Sequence, residues 1–174
     1  DFRSRTGWEV ELEVVPDINA LVAARYGECD ATITHLPSEA EQIERYGYVG
    51  VRQEGMRDDY ILVGPPDDPA GTGEAETSPE AFRKIAEAQQ PFIIRVDGSG
   101  TSVRTQYIWA TTGIEDFGDW LIEGESGMKE TLRQASREGA YTLTDRSSYQ
   151  QISEELDLVI LYEGEEQLEN PYHV

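Results

Sequence analysis

A short glycine-containing stretch near the middle of the chain combines the residue types that bind anions. Arg95 supplies a fixed positive charge, and Ser99 and Thr101 supply hydroxyl donors on either side of Gly100. The stretch follows Phe92–Ile94, an apolar run typical of a buried strand, and precedes a polar helical pattern. A glycine-rich turn that opens a helix exposes unpaired N–H groups at the positive end of the helix dipole, so the pattern predicts an anion site. An ordinary strand–turn–helix connection, in which the hydroxyl only caps the helix, is the alternative.

Two later stretches also place hydrogen-bond donors between a predicted strand and a predicted helix. Gly124–Ser126 follows one strand, and Thr142, Thr144 and Arg146 lie at the end of another. In parallel α/β sheets the carboxyl ends of the strands share one edge, where ligands bind. We therefore expect the three stretches to meet at that edge.

The sequence lacks the residues of common catalytic and metal sites. His35 and His173 are the only histidines, without ordered carboxylate spacing nearby, so a zinc-type site is disfavoured. Cys29 is the only cysteine, which excludes an intramolecular disulfide. Gly124–Gly127 comes nearest to a G-x-S-x-G nucleophile motif but lacks its final glycine. The sequence therefore predicts a protein without catalytic residues, metal ligands or a cofactor.

The charge of the chain restricts its partners. The formal net charge is −21, with 35 acidic and 14 basic residues, which argues against nucleic acid binding. Lys84 and Lys129 are the only lysines, and an acidic surface with so little lysine favours a halophilic source. An acidic protein from ordinary surroundings is the alternative. No apolar run approaches the roughly 18 residues of a membrane span, and the start of the chain, Asp1–Arg5, does not resemble a signal peptide.

Strand-like and helical patterns alternate along the 174 residues. Trp8–Val15 alternates apolar and acidic residues, which predicts a half-buried strand, and the Pro-, Gly- and acid-rich stretch Pro65–Thr77 indicates an exposed connection. The alternation predicts an α/β fold with mainly parallel sheets flanked by helices. In the helix predicted from Ser102, we expect Val103, Tyr107 and Ala110 to face the core. Other strands are predicted at 30–34, 60–63, 92–94, 120–122, 140–144 and 158–161, and helices at 2–6, 18–26, 37–46, 78–89, 102–112, 128–137 and from 145 onward.

Several stretches, in chain order, resemble the tungstate-binding proteins of ABC uptake systems. Arg95–Thr101 is similar to that family's R-x-D-x-S-G-T loop, and Gly127–Leu132 to its G-M-x-x-T-L helix start. Gly139–Arg146 matches its G-A-Y-T-L-T-D-R, while Leu158–Gly164 and Asn170–Tyr172 fit its L-V-I-L-x-E-G and N-P-Y. The resemblance implies the periplasmic type II binding-protein fold, in which two α/β lobes close on a tetrahedral oxyanion.

The resemblance also implies a role for each residue that matches a family motif. One loop would hold the oxyanion in the second lobe, a helix N-terminus would point at the cleft, and a third loop would complete the contacts. Arg146 is expected to pair with Asp145 or another carboxylate instead. The implied oxyanion ligands are Arg95, Ser99, Gly100, Thr101, Ser126, Gly127, Thr144 and Asp145.

Two departures from the family pattern concern the first lobe. The family begins with a strand and a Thr/Ser-rich loop that would precede this chain, and it continues past the position of Val174. Pro16–Ile18 replaces a G-T-G-like turn, so we expect Asp17 to repel a dianion. The implied organisation is an incomplete first lobe at residues 1–64, a second lobe at 65–163 and a return segment at 164–174.

By resemblance, the expected function is binding of tungstate or molybdate. The protein would deliver the oxyanion to an ABC transporter permease from a periplasmic, extracellular or cell-surface position, by closure of its cleft and without a reaction. A ligand-sensing or regulatory module of the same fold, with a lost or degenerate transport role, is the alternative. An enzyme on this fold is disfavoured, because no nucleophile–base pair or metal cluster is evident.

Overall fold

The computed structural model describes residues 2–124 and 127–174. These residues form a mixed sheet with helices on both faces, which confirms the predicted α/β fold class. The α-helices are α1 (Phe2–Thr6), α2 (Asp17–Tyr26), α3 (Pro37–Arg45), α4 (Ser78–Glu87), α5 (Gly100–Thr112), α6 (Met128–Glu138) and α7 (Arg146–Ile152). The strands are β1 (Glu54–Gly64), β2 (Phe92–Ile94), β3 (Leu121–Glu123), β4 (Tyr141–Asp145), β5 (Val159–Tyr162) and β6 (Glu169–His173). Short 3-10 helices lie at Thr72–Glu74, Ser153–Glu155 and Glu166–Leu168.

The sheet has the strand order β3-β2-β4-β1-β5, and β6 pairs with the first half of β1. β2 is parallel to both β3 and β4, as predicted. β1, the longest strand, is antiparallel to β4, β5 and β6, so the sheet is mixed and the expectation of mainly parallel pairing was wrong in this respect. The sequence did not reveal β6, because Pro171 lies inside it and proline is unusual in paired strands.

The core lies on both faces of the sheet, because side chains alternate along each strand. Tyr60 and Leu62 of β1 pack with α4 and α5, whereas Ile61 and Val63 pack with α6 and α7. β2 contributes in the same way to both faces, and the structure thereby confirms the buried strand predicted from its apolar run. Burial on both sides fixes the position of β2, whose carboxyl end leads into the predicted anion-binding turn.

The N-terminal part of the chain contains less strand structure than the sequence predicts. Residues 8–15 pair with no strand among the described residues, and Trp8 and Leu12 are 72% and 79% exposed. A strand is stable only when a neighbour takes its backbone hydrogen bonds, and alternation alone does not supply that neighbour. The strand predicted at 30–34 is reduced to one antiparallel bridge between Thr34 and His173.

Helix α5 buries a different face from the predicted one, which was Val103, Tyr107 and Ala110. Val103 and Tyr107 are about half exposed, at 48% and 55%, whereas Thr105, Ile108 and Trp109 are buried. The buried residues follow helical spacing, but one of them is polar. Thr105 satisfies its hydroxyl within the helix by donating to the carbonyl of Thr101 at 2.7 Å, so its burial leaves no unpaired hydroxyl.

The predicted division into residues 1–64, 65–163 and 164–174 stays a prediction. Strand β1 pairs with β6 through Glu54–Asp59 and with β4 through Tyr60–Val63, so it runs from one group of strands to the other. Among the described residues, no helix is long and apolar enough to cross a membrane.

Candidate oxyanion site

Three helices begin where three neighbouring parallel strands end. β2 lies between β3 and β4, with Ile94 opposite Glu123 and Ile93 opposite Thr142, so the carboxyl ends of the three strands share one edge of the sheet. The chain continues from these ends into α5, α6 and α7 respectively. The topology therefore brings the described residues of the three stretches singled out in the sequence to one edge, as ligand sites in parallel sheets require.

The turn between β2 and α5 has the donors of an anion site. Ser99 caps α5, because its Oγ accepts the N–H of Ser102 at 3.3 Å. Gly100 and Thr101 are the first residues of the helix, so their N–H groups have no partner within the helix. The Oγ of Ser102 donates to the carbonyl of Arg95 at 2.8 Å and ties the helix start to the end of the strand. Thr101 is buried, so the donors lie in a shielded position.

Arg95 is held by the carboxylate of Asp97, which was not among the predicted site residues. Arg95 Nε donates to Asp97 Oδ2 at 3.1 Å. Asp97 Oδ1 accepts the N–H of Ser99, also at 3.1 Å. Partial burial raises the pKa of Asp97, but the bonds from Ser99 and Arg95 outweigh that effect and leave the pKa below its ordinary value. The spacing of two residues between Arg95 and Asp97 in the sequence could have indicated this ion pair.

His35 also reaches this turn, from a segment far away in sequence. Its ring lies directly over Gly100, where a Cβ atom would be 2.1 Å from His35 Nε2. The same nitrogen is 2.9 Å from Asp17 Oδ2, and the ring of Tyr172 is 5.0 Å away between centroids. Gly100 is therefore required by a close approach, and no local sequence signal could have revealed that contact.

Asp17, which we expected to repel a dianion, has neighbouring donors of its own. Its Oδ1 accepts the hydroxyl of Thr34 at 3.2 Å, beside the contact with His35. Partial burial raises the pKa of Asp17, but the interactions with His35 and Thr34 outweigh it and lower the pKa below the ordinary range. The carboxylate therefore remains ionised at neutral pH, with a histidine beside it.

The start of α6 is a second predicted contact. Gly127 is its N-cap residue, with a φ of 93° and without a side-chain cap bond. A Cβ at Gly127 would lie 2.7 Å from Glu130 Oε2, so this carboxylate folds back over the start of the helix. Ser126, the other residue predicted here, lies outside the described residues.

Thr144 and Asp145 make structural bonds at the end of β4. Thr144 Oγ1 donates to the carbonyl of Asp145 at 3.0 Å. The Asp145 carboxylate caps α7 by accepting the N–H of Ser148 at 2.8 Å, and it also accepts the hydroxyl of Ser147 at 3.0 Å. Their predicted contact with an oxyanion stays a prediction.

Arg146 pairs with carboxylates, as expected, but not with its neighbour. Its Nε and Nη2 donate to the two oxygens of Asp59 at 2.7 and 2.6 Å, and Nη2 also reaches Glu163. These bonds raise the pKa of the guanidinium above its ordinary value. Arg146 therefore connects β4–α7 to β1.

The described part of the chain contains no group of three or more His, Cys, Asp or Glu side chains that could hold a metal ion. The donors at this edge of the sheet are hydroxyls, backbone N–H groups and a guanidinium. Such donors suit an anion and not a cation.

Known sequences are similar to this chain over most or all of its length. The family model described as PBP superfamily domain matches residues 1–174. A putative ABC transporter anion-binding protein of Haloferax volcanii is 37% identical over 89% of this chain and 47% of the relative. Tungstate-binding protein TupA of Peptoclostridium acidaminophilum is 32% identical over 100% of this chain and 62% of the relative. The chain thus spans about half to three fifths of the length of these curated relatives, and the Haloferax relative agrees with the halophilic interpretation of the composition.

Solved structures resemble the chain over nearly all of its length. The tungstate ABC transporter structure from Geobacter sulfurreducens has a TM-score of 0.82 and 33% identity, covering 99% of this chain and 73% of that one. The tungstate-binding protein TupA from Desulfovibrio alaskensis G20 has a TM-score of 0.87 and 29% identity, covering 99% and 71% respectively. The regulatory domain of CcmR from Synechocystis, at 18% identity and a TM-score of 0.67, shares the fold alone.

Proposed function

We propose, from the premise that this chain belongs to the PBP superfamily, that it binds a small tetrahedral oxyanion of the tungstate or molybdate kind. The observation that carries the proposal is the β2–α5 turn, where Arg95, the Ser99 cap and the first N–H groups of α5 converge. Relatives of the chain that bear the name tungstate-binding protein support the choice of ligand. The oxyanion would be the ligand itself, so no cofactor is needed.

In this proposal the neutral donors and the guanidinium have separate roles. Helix N–H groups and hydroxyls surround a dianion without adding charge, while Arg95 supplies a charge-assisted bond of about twice the usual strength. Gly100 and Thr101 would bind through the helix start, and Gly127, Ser126, Thr144 and Asp145 would lie along the remaining wall. Residues 1–64, 65–163 and 164–174 would form the parts of two lobes that close on the ligand.

The proposed biological role is delivery of the oxyanion to an ABC transporter permease from outside the cytoplasmic membrane. The relatives described as ABC transporter components support this role. The protein would act by binding and release, without a reaction. Regulatory domains share only the fold with this chain, so oxyanion delivery is the better supported of the two functions.

Calorimetric titration of the chain in high salt tests the proposal, with tungstate, molybdate, sulfate and phosphate in the syringe. Arg95→Ala should weaken tungstate binding about 10- to 100-fold, because hydrogen bonds to charged groups contribute about 1.5–3 kcal/mol. Arg83→Ala, which removes an exposed arginine of α4, is the charge-matched control and should leave affinity unchanged. No binding by the folded wild-type chain, or equal effects of the two variants, would contradict the proposal.

A further inference from the structure

The carboxylate of Asp97 joins Arg95 to the start of α5, with one oxygen for each. Oδ1 accepts the N–H of Ser99 at 3.1 Å, and Oδ2 accepts Arg95 Nε at 3.1 Å and also bonds Nη2. A carboxylate can serve both donors at once, whereas a carboxamide has a single acceptor oxygen. Both bonds therefore depend on the acid and not only on the size of the side chain.

The bond to Asp97 determines the direction of the rest of the Arg95 guanidinium. The group is planar, with five N–H donors in a fixed fork, so fixing the Nε–Nη2 edge also fixes Nη1. Arg95 Nη1 lies 3.6 Å from the sulfur of Met128, the first residue of α6. The side chain of Arg95 is only 13% exposed, and few other orientations are open to it. The guanidinium is thus directed from the turn before α5 toward the start of α6.

We infer that Asp97 is a positioning residue of the oxyanion site, which holds the Arg95 guanidinium in the orientation that receives the anion. This inference rests on the proposed function, whose ligand would approach between the starts of α5 and α6. Asp97 has two opposed effects on a dianion, because it orients Arg95 but also carries a negative charge. The carboxylate is 37% exposed, so water and salt weaken its repulsion, and we expect orientation to dominate.

Asp97→Asn tests the inference by calorimetric titration with tungstate. We expect about a 10-fold loss of affinity, because the amide cannot accept from Ser99 and from Arg95 together. Asp116→Asn removes the same charge from an exposed position in the loop after α5 and should leave affinity unchanged. Affinity that is equal or higher in Asp97→Asn would overturn the inference and make Asp97 a competitor of the ligand.

A double-variant cycle separates positioning from a general effect on the loop. If Asp97 acts through Arg95, Asp97→Asn should change tungstate affinity by less than about twofold in the Arg95→Gln background, where nothing remains to be oriented. A second loss of similar size in that background would overturn the inference, because a purely structural role affects both backgrounds alike. Thermal unfolding of each variant confirms that the compared chains are folded.

A measurement without ligand distinguishes this inference from the proposed function. The Nε–H proton resonance of Arg95, assigned by its loss in Arg95→Gln, should exchange slowly with water in the wild type and rapidly in Asp97→Asn. A folded wild-type chain that binds no tungstate would overturn the proposed function and, with it, the site role of Asp97. The resonance would then still show whether Asp97 holds Arg95: unchanged protection in Asp97→Asn would overturn that part as well.

Discussion

The contact of His35 with Gly100 connects the N-terminal segment to the predicted anion-binding turn. Gly100→Ala should destabilise the fold by about 1–3 kcal/mol, because the new Cβ would lie 2.1 Å from His35 Nε2 and overpack the contact. Thermal or chemical unfolding of the variant measures this change.

The same substitution in a His35→Ala background is the control for the Gly100 prediction. With the ring removed, alanine at the first turn of α5 should be neutral or stabilise by up to about 1 kcal/mol, in line with its higher helix propensity. Equal destabilisation in both backgrounds would show that backbone conformation, and not His35, requires glycine at this position.

The placement of the candidate site residues was predictable where the signal is local in sequence. Arg95, Ser99 and Thr101 stand within one strand–turn–helix pattern, and the structure places them at one turn. Asp97 lies in the same pattern, but its carboxylate was not assigned because nothing in the residue types shows which oxygen faces which donor. The position of His35 could not be predicted from the sequence, because its contact with Gly100 depends on how distant parts of the chain pack together.

The helices and strands were likewise predictable where the signal is local in sequence, and not where tertiary contacts decide. Helices with clear start and stop residues, such as α4 and α6, were predicted within a few residues. Strand β6 and the buried face of α5 were missed, because the pairing of β6 with β1 and the packing of α5 in the core depend on residues distant in sequence. Periodicity indicates which residues could be buried, but only packing decides which are.

The connection predicted at Pro65–Thr77 is fastened to β4 by one carboxylate. Asp68 Oδ1 accepts the hydroxyls of Tyr141 at 2.8 Å and Thr72 at 2.9 Å, and Oδ2 accepts the N–H of Gly73 at 2.8 Å. The Tyr141 hydroxyl in turn accepts the N–H of Ala70 at 2.9 Å. A segment rich in glycine and proline is thereby held in one conformation against a buried tyrosine.

Asp68→Asn should destabilise the chain by about 1–3 kcal/mol. The carboxylate accepts three hydrogen bonds with its two oxygens, whereas an amide has only one acceptor oxygen. The expected fall in melting temperature is about 2–4 °C for each kcal/mol in a chain of this size. Asp67→Asn, at the exposed neighbouring position, is the matched control and should change the melting temperature little. Equal melting temperatures for the two variants would mean that the connection does not depend on Asp68.

At the scale of the whole molecule, acidity acts on stability in two opposed ways. At a net charge of −21 the acidic side chains repel one another, so protonation of exposed carboxylates should favour the compact state. Protonation of the hydrogen-bonded carboxylates has the opposite effect and destabilises the fold. These carboxylates are Asp17, Asp68, Asp97 and Glu165. Partial burial raises the pKa of each, but the surrounding hydrogen bonds outweigh it and leave the pKa of each below its ordinary value.

The sign of the pH dependence follows from those lowered pKa values. Below about pH 5 the unfolded chain binds more protons at these carboxylates than the folded chain does, so folding stability should fall as pH falls through about 4 and toward the folded-state pKa values. Scanning calorimetry between about pH 2.5 and 8 measures the effect. In about 1 M NaCl the exposed charges are screened within roughly 3 Å, so repulsion among them should contribute little and the loss of stability in acid should be steeper than in dilute salt. A melting temperature that rises steadily down to about pH 3 in concentrated salt would contradict this account, since it would require the hydrogen-bonded carboxylates to gain stability on protonation.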